Sequence, residues 1–287
     1  MKPSRVEVLE KKIARLMVEA IREWRLVEAG DRVMVGVSGG KDSYTLLHLL
    51  RRFQERCPFR FEILAFHLDQ GHPGFPVETI RSFLEREGYE HKIVRKDTYS
   101  LVVERLEEGQ TTCWLCSRFR RGILYNQAPE LGCSKIALGH HRDDAAETLL
   151  LNVLYAGQIK GMPARLPSDD GRNTVVRPLI YVAEDDIREF AQLMEFPIVP
   201  CTFCNGTERD EIARLLNELS AKNPTVRGNI LHALRNVAPS HLLDPRLEKR
   251  EGDEPSVAPM ESATLAFSEL GDRPAKTPPA ASSAPRS

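Results

Sequence analysis

Val33-Met34-Val35-Gly36-Val37-Ser38-Gly39-Gly40-Lys41-Asp42-Ser43 is the stretch on which the fold turns. Its first five residues are a short apolar run, the pattern of a strand buried on both faces. From Ser43 to Gln54 the apolar residues recur at helical spacing. A strand therefore feeds directly into a helix, with Ser38 to Ser43 as the turn between them. The two glycines let the backbone approach a ligand closely and permit positive φ. The helix start behind them offers unpaired N–H groups and partial positive charge, which suits phosphate. Ser38 and Ser43 add hydroxyl donors, and Lys41 can neutralise phosphate charge. Asp42 is a poor phosphate neighbour by itself and makes sense as a Mg2+ ligand. The loop is not a Walker A motif, because Gly36 stands one residue too close to Gly40 and Asp42 follows the lysine. The dinucleotide fingerprint fails as well. The bland alternative, a strand-to-helix turn without a ligand, leaves the coincidence of strand, glycines, lysine and helix unexplained.

Outward from this turn, apolar runs at Phe61 to Leu68, Lys92 to Val94, Lys135 to Leu138 and Val175 to Val176 read as further strands. Helical patterns lie between and after them near Val77 to Glu87, Arg118 to Leu131, Asp144 to Tyr155 and Glu184 to Met194. Alternation of this kind predicts an α/β domain with a Rossmann-like parallel sheet covered on both faces. Such sheets bind ligands at the carboxyl ends of their strands. Before the first strand, Leu9, Ile13, Leu16, Ala20 and Trp24 form a helical stripe widened by Met17 and Ile21, with Gly30 as its expected stop. Ile212 to Val237 reads as helix interrupted near Asn223-Pro224. The expected organisation is an N-terminal helical addition over 1–30, the main domain over 31–200, a cysteine-bearing helical segment over 201–250, and a disordered tail over 251–287. Only Thr264 to Leu270 in that tail has the pattern of a short docking element.

A second patch, Gly139-His140-His141-Arg142-Asp143-Asp144, follows the strand Lys135 to Leu138 and so belongs at the same end of the sheet. Two adjacent carboxylates at a helix start can bind Mg2+ or orient a nucleophile, or simply cap the helix. Asp69, which ends the second strand, is a weaker candidate for contact with a nucleotide.

The chain has 287 residues, a hydrophobic fraction of 41% and a net charge of -1. No apolar run reaches the roughly 18 residues of a membrane span. The N-terminus lacks an apolar signal core, so a cytoplasmic setting is expected, with no membrane partner. The tail holds six acids and three bases, which makes it -3 and leaves the first 250 residues at +2. A mildly basic body can carry a strong local patch, so net charge does not exclude a nucleic-acid partner.

Six cysteines in a cytoplasmic chain point to metal or redox chemistry rather than structural disulfides. Cys113-x-x-Cys116 and Cys201-x-x-Cys204 are two pairs with 84 residues between them. Three readings are open: a zinc site of four cysteines, an iron–sulfur cluster held by Cys113, Cys116 and one later cysteine, or a thiol pair carrying a persulfide. Cys57 and Cys133 read as small buried residues. Arg118, Arg120 and Arg121 follow the first pair, as a solvated helix face or a contact for a phosphate backbone. Lys160, Arg165, Arg227 and Arg235 are further cations whose grouping the sequence does not fix. Trp114 and Tyr125 can either stack on an extruded base or pack.

Ser38 to Ser43 resembles the pyrophosphatase loop of the N-type ATP pyrophosphatases, the PP-loop enzymes. Gly139 to Asp144 resembles their Gly-His-x-x-Asp-Asp element. Gly109 to Tyr125 with its Cys113 and Cys116 is similar to the tRNA 2-thiocytidine synthetases within that group. So are Asp69-Gln70 with Pro73-Gly74-Phe75-Pro76, Gly161-Met162-Pro163, Ser168-Asp169-Asp170-Gly171, Arg177-Pro178-Leu179 and Pro239-Ser240-His241-Leu242. The likeness spans roughly residues 5 to 245. The family usually continues from its last cysteine with Gly-Ser-Gln, whereas this chain runs Asn205-Gly206-Thr207-Glu208-Arg209.

The resemblance implies an adenine nucleotide alpha hydrolase-like fold and ATP-dependent 2-thiolation of cytidine 32 in the tRNA anticodon loop. Ser38, Gly39, Gly40, Lys41, Asp42, Ser43, Asp69, Gly139 and His140 would then bind ATP and Mg2+. Lys41, Asp42, Asp143 and Asp144 would be the catalytic set, and Arg118, Arg120 and Arg121 would meet tRNA. A 4Fe-4S cluster would sit on Cys113, Cys116 and Cys204, with Cys201 the alternative third ligand. Expected partners are tRNA and a sulfur donor such as a cysteine desulfurase, with a homodimer as an option. A thiouridine synthase on the same scaffold and a zinc-stapled, non-catalytic tRNA-binding protein are the competing readings.

Overall fold

The computed structural model describes residues 3–105, 112–168, 171–200 and 208–247. In chain order the elements are α1 (Arg5–Trp24), β1 (Arg32–Gly36), α2 (Lys41–Gln54), β2 (Glu62–Asp69), α3 (Val77–Arg86), β3 (His91–Arg95), α4 (Thr98–Arg105), α5 (Thr112–Glu130), β4 (Lys135–Ala137), α6 (Arg142–Tyr155), β5 (Arg165–Pro167), β6 (Thr174–Val176), α7 (Glu184–Leu193), α8 (Glu208–Lys222) and α9 (Val226–Arg235).

The strands form one sheet in the order β3-β2-β1-β4-β6-β5. All neighbours pair in parallel except β5 and β6, which are antiparallel. From β1 the chain winds outward through β2 and β3, then crosses back to β4 on the other side. The winding direction reverses between β1 and β4, and that reversal opens a crevice beyond their carboxyl ends. Both phosphate-site candidates, after β1 and after β4, fall there.

Residues of β1 alternate between two cores, which is why it reads as an unbroken apolar run. Val33 and Val35 join a cluster with Leu9, Ile13 and Met17 of α1, Leu46 and Leu50 of α2, and Ile187 and Phe190 of α7. Met34 faces the opposite cluster with Phe66, Leu124, Ile136 and Val175. Burying side chains of this size is worth about 1.5–3 kcal/mol each. The N-terminal helix is thus part of the main core.

Helix α1 does not run to the expected stop at Gly30. It ends at Arg25, which adopts the left-handed conformation (φ 49°) with its N–H on the Ile21 carbonyl. The Arg25 guanidinium holds Glu28 at 2.6 and 3.0 Å across the turn. Gly30 serves the next turn instead, donating to the Arg60 carbonyl at 2.8 Å. Two elements go beyond the sequence expectation. Helix α4 follows β3, and the exposed edge strand β5 makes the sheet mixed rather than purely parallel.

The break at Asn223-Pro224 separates α8 from α9 as expected. The chain divides into compact units at Val237, so α8 and α9 belong with the sheet. The second unit begins at Ala238 and includes short 3-10 turns at Pro239–His241 and Pro245–Leu247. Residues 251–287 with the Thr264 to Leu270 segment, the second CxxC pair, and Asp169-Asp170 lie outside the described residues. Among the described residues no helix is long and apolar enough to cross a membrane.

Candidate active site

Gly39 has φ +86°, a conformation a side chain would strain, and a Cβ there would meet Ile80 at 3.1 Å and Val199 at 3.2 Å. Its carbonyl accepts the Val199 N–H at 2.9 Å. The two serines shape the turn from inside. Ser43 Oγ donates to the Gly40 carbonyl at 2.9 Å and accepts the Ser38 N–H at 3.2 Å. Ser43 is buried, while Ser38 is exposed at the mouth of the loop. Helix α2 begins at Lys41, two residues earlier than the sequence pattern suggests, so Lys41 and Asp42 occupy its first turn.

Gly139 brings the second loop against the first. A Cβ at that position would lie 3.0 Å from the Asp42 carbonyl carbon and 3.1 Å from its oxygen. The close approach puts the starts of α2 and α6 side by side. A third helix start joins them, because Asp143 accepts the N–H of Glu184, the first residue of α7, at 2.9 Å. Three helix N-termini from adjacent strands β1, β4 and β6 thus converge at one end of the sheet. Their summed partial charges favour an anion of high charge.

The ionisable groups form one network. Lys41 Nζ lies 3.2 Å from the Asp42 carboxylate and 3.0 Å from Glu184. Burial pulls the Lys41 ammonium down, but Asp42 and Glu184 outweigh it and leave it above the usual lysine value. Burial raises Asp42, with His141 and Lys41 opposing that rise. Asp42 Oδ1 makes no hydrogen bond among the described residues. That oxygen faces Lys41 at 3.2 Å and His141 at 3.6 Å, and its chemistry beside a glycine-walled anion cradle fits a cation ligand. His141 Nε2 stands 3.6 Å from Asp42 and 3.4 Å from Asp144. His140 is half-buried, and burial pushes its imidazole down to about 4, so it is neutral at physiological pH.

The adjacent acids of α6 have separate tasks. Asp143 is buried and anchors structure: besides the Glu184 N–H it contacts Arg142 at 3.3 Å and Arg227 of α9 at 3.1 Å. Asp144 accepts the His141 N–H at 2.9 Å, which makes His141, not Asp143, the cap of α6. The other Asp144 oxygen pairs with Arg209 of α8, which also holds Glu147 at 2.8 Å. Asp69 spends Oδ1 on the Gly71 N–H at 2.9 Å, shaping the turn after β2. Glu184 and Arg209 escaped the sequence reading as site residues, and His141 was read only as part of the Gly139 to Asp144 patch. An acid run at Glu184-Asp185-Asp186 opening a helix was the available signal for Glu184.

The first CxxC pair lies on α5, with Cys113 and Cys116 three residues apart in the helix. Cys116 Sγ sits 3.1 Å from Gln70 Oε1, and Gln70 follows β2 directly, so this thiol lies at the nucleotide end of the sheet. Two thiols at this spacing are a donor set suited to a soft metal or an iron–sulfur cluster. Among the described residues no cluster of three or more His, Cys, Asp and Glu has the geometry of a metal site. Arg118, Arg120 and Arg121 are exposed on α5. Arg227 and Arg235 are held by acids, Arg227 by Asp143 at 3.1 Å and Arg235 by Glu23 at 2.8 Å. Tyr125 packs against the second core cluster rather than standing open for a base. Cys133 is buried as expected, and Cys57 is half-buried with its thiol raised by burial.

Residues 6–199 match the PP-loop domain family. The chain is 56% identical over 248 residues to the tRNA-cytidine(32) 2-sulfurtransferase of Anaeromyxobacter sp. (strain K), which covers 85% of each chain. It is 49% identical over 264 residues to the protein of that name from Bordetella avium (strain 197N), covering 91% of this chain and 84% of that one. Its fold is similar to the U34-tRNA thiolase NcsA from Methanococcus maripaludis with its 4Fe-4S cluster. That match has a TM-score of 0.65 and 23% identity, and covers 82% of this chain and 81% of the other.

Proposed function

Because this chain belongs to the PP-loop family and, within it, to the tRNA-cytidine(32) 2-sulfurtransferases, we propose that it uses ATP to replace the 2-oxygen of cytidine 32 in tRNA with sulfur. The carrying observation is the convergence of three helix starts around Lys41 at the β1–β4 reversal. That arrangement suits a triphosphate whose α-phosphorus must be exposed to attack.

The cytosine O2 attacks the α-phosphorus of ATP and pyrophosphate departs. Sulfur then adds at the ring carbon, and AMP leaves with the original oxygen. The N–H groups at the start of α2 and the Lys41 ammonium stabilise charge as it builds on the departing pyrophosphate. Asp42 and Asp144 are the residues that would hold Mg2+, which neutralises the phosphates. For Asp144 this requires Arg209 to turn away. Asp143 acts as a positioning residue, fixing α7 and with it Glu184 beside Lys41. Ser38, Ser43, Gly139 and neutral His140 line the nucleotide end, and Asp69 shapes its outer turn.

Cys113 and Cys116, with Cys204 or alternatively Cys201, would hold a 4Fe-4S cluster. Bound there, the cluster supplies a site that carries sulfur from a donor such as a cysteine desulfurase. Arg118, Arg120 and Arg121 of α5 would steady the tRNA backbone beside it, in a cytoplasmic setting.

The test is mass analysis of tRNA nucleosides from a deletion strain carrying the wild-type gene, a Lys41→Ala gene or none. 2-Thiocytidine is expected only with the wild-type gene. Loss of a thiouridine with 2-thiocytidine intact would sink the assignment. Iron and sulfide analysis of anaerobically purified protein separates the cluster from zinc.

A further inference from the structure

We propose that the β5–β6 hairpin and the exposed side of α5 form one continuous cationic face that receives the phosphate backbone of the RNA on its way to the cysteine site. The inference rests on the reading of the chain as a tRNA-modifying enzyme.

The structure sorts cations that look alike in sequence. Arg142, Arg209, Arg227 and Arg235 are each held by acids. Arg120, Arg121 and Arg165 are exposed and have no ion-pair partner among the described residues. These three belong to two elements that are lashed together. Arg172 in the hairpin donates to Asn126 Oδ1 of α5 at 3.2 Å, and the buried Asn173 donates to the Tyr125 carbonyl at 2.8 Å. Arg165 lies on β5, an edge strand whose residues are all exposed. Arg177, just after β6, donates to the Pro163 carbonyl at 2.7 Å, and its Nε has no hydrogen-bond partner among the described residues.

From Cys116 to Asn126 the helix advances about 15 Å, so the thiol and the contact with the hairpin lie along the same helix. Cations left unneutralised along such a track favour a polyanion that displaces counterions. Asp169 and Asp170 closely precede Arg172 in sequence, so the case stands on Arg121 and Arg165.

The experiment measures affinity of the full chain for an unmodified tRNA transcript across a salt series. Arg121→Gln and Arg165→Gln are each expected to weaken binding several-fold. Each should lower the slope of log affinity against log salt by about 0.7–0.9. ATP affinity by calorimetry and thermal unfolding should stay at wild-type values. Arg86→Gln, on α3, serves as the control and should leave the slope unchanged. If the double variant keeps wild-type affinity and slope, the proposal is overturned. If the wild type itself fails to bind tRNA, the functional reading falls with it.

Discussion

Replacing Gly139 with alanine tests whether the two loops of the nucleotide end are in contact. The new Cβ would stand 3.0 Å from the Asp42 carbonyl carbon, 3.1 Å from its oxygen and 3.2 Å from its Cβ. The obstacle is mostly backbone in the first turn of α2, so relief requires that turn to move. Gly139 is not among the positive-φ glycines, so the cost is steric rather than torsional. An extra methyl that forces a backbone shift typically costs about 1–3 kcal/mol. The displaced residues include Lys41 and Asp42, so ATP affinity should fall about tenfold, equivalent to about 1.4 kcal/mol. Gly122, inside α5, gives the opposite case. A Cβ there meets nothing within 4 Å, and alanine should raise stability by about 0.5–1 kcal/mol through helix propensity. Urea unfolding measures both variants, and calorimetry with a non-hydrolysable ATP analogue measures binding. A Gly139→Ala protein with wild-type stability and wild-type nucleotide affinity would refute the contact.

The His140 imidazole gives a pH dependence of defined sign. In the unfolded chain it takes a proton below about 6.5, whereas the folded protein resists until about 4. Stability is therefore complete above that upper value and declines as pH falls toward the lower one. At pH 5 the loss is about 2 kcal/mol, and His140→Asn should remove that component from urea unfolding curves taken at pH 5 and 7. Asp143→Ala should cost about 3–5 kcal/mol, because Arg227, only 11% exposed, is left without its carboxylate; thermal unfolding reads this, and a loss under 1 kcal/mol would contradict the anchoring role. The backbone bond from Glu184 and the arginines outweigh burial and keep the Asp143 carboxyl below its usual value, so this stabilisation should vanish as acid titrates it. Lys41→Ala should leave the fold intact while cutting thiolation at least about a hundredfold, and unchanged 2-thiocytidine in the complemented strain would remove Lys41 from the mechanism.

The β1–α2 turn was legible because every cue lies within a dozen residues: a run buried on both faces, then glycines, then helical periodicity. The three-residue strand β5 was not, because its residues are all exposed and leave no apolar run. Arg25 ends α1 in a conformation that glycine usually supplies, held by a local pair with Glu28, so the sequence pointed to Gly30 instead. Asp143 and Asp144 are indistinguishable as letters. What separates them is a partner 41 residues away at Glu184 and others on α8 and α9. Among the arginines the same holds: charge is read from sequence, but commitment to an acid is set by tertiary contacts.

Those distant partners explain why helices that follow the sheet belong to its active end. Asp143 and Asp144 sit in one turn of α6, yet one grips α9 through Arg227 and the other grips α8 through Arg209. These ion pairs hold α8 and α9 against α6 and fix the positions of both carboxylates. The segment holding Cys201 and Cys204 runs between Val199 and Arg209. Val199 is bonded to Gly39 of the phosphate loop, and Arg209 is bonded to Asp144. Both ends of that cysteine segment are therefore fastened to the groups that would meet ATP.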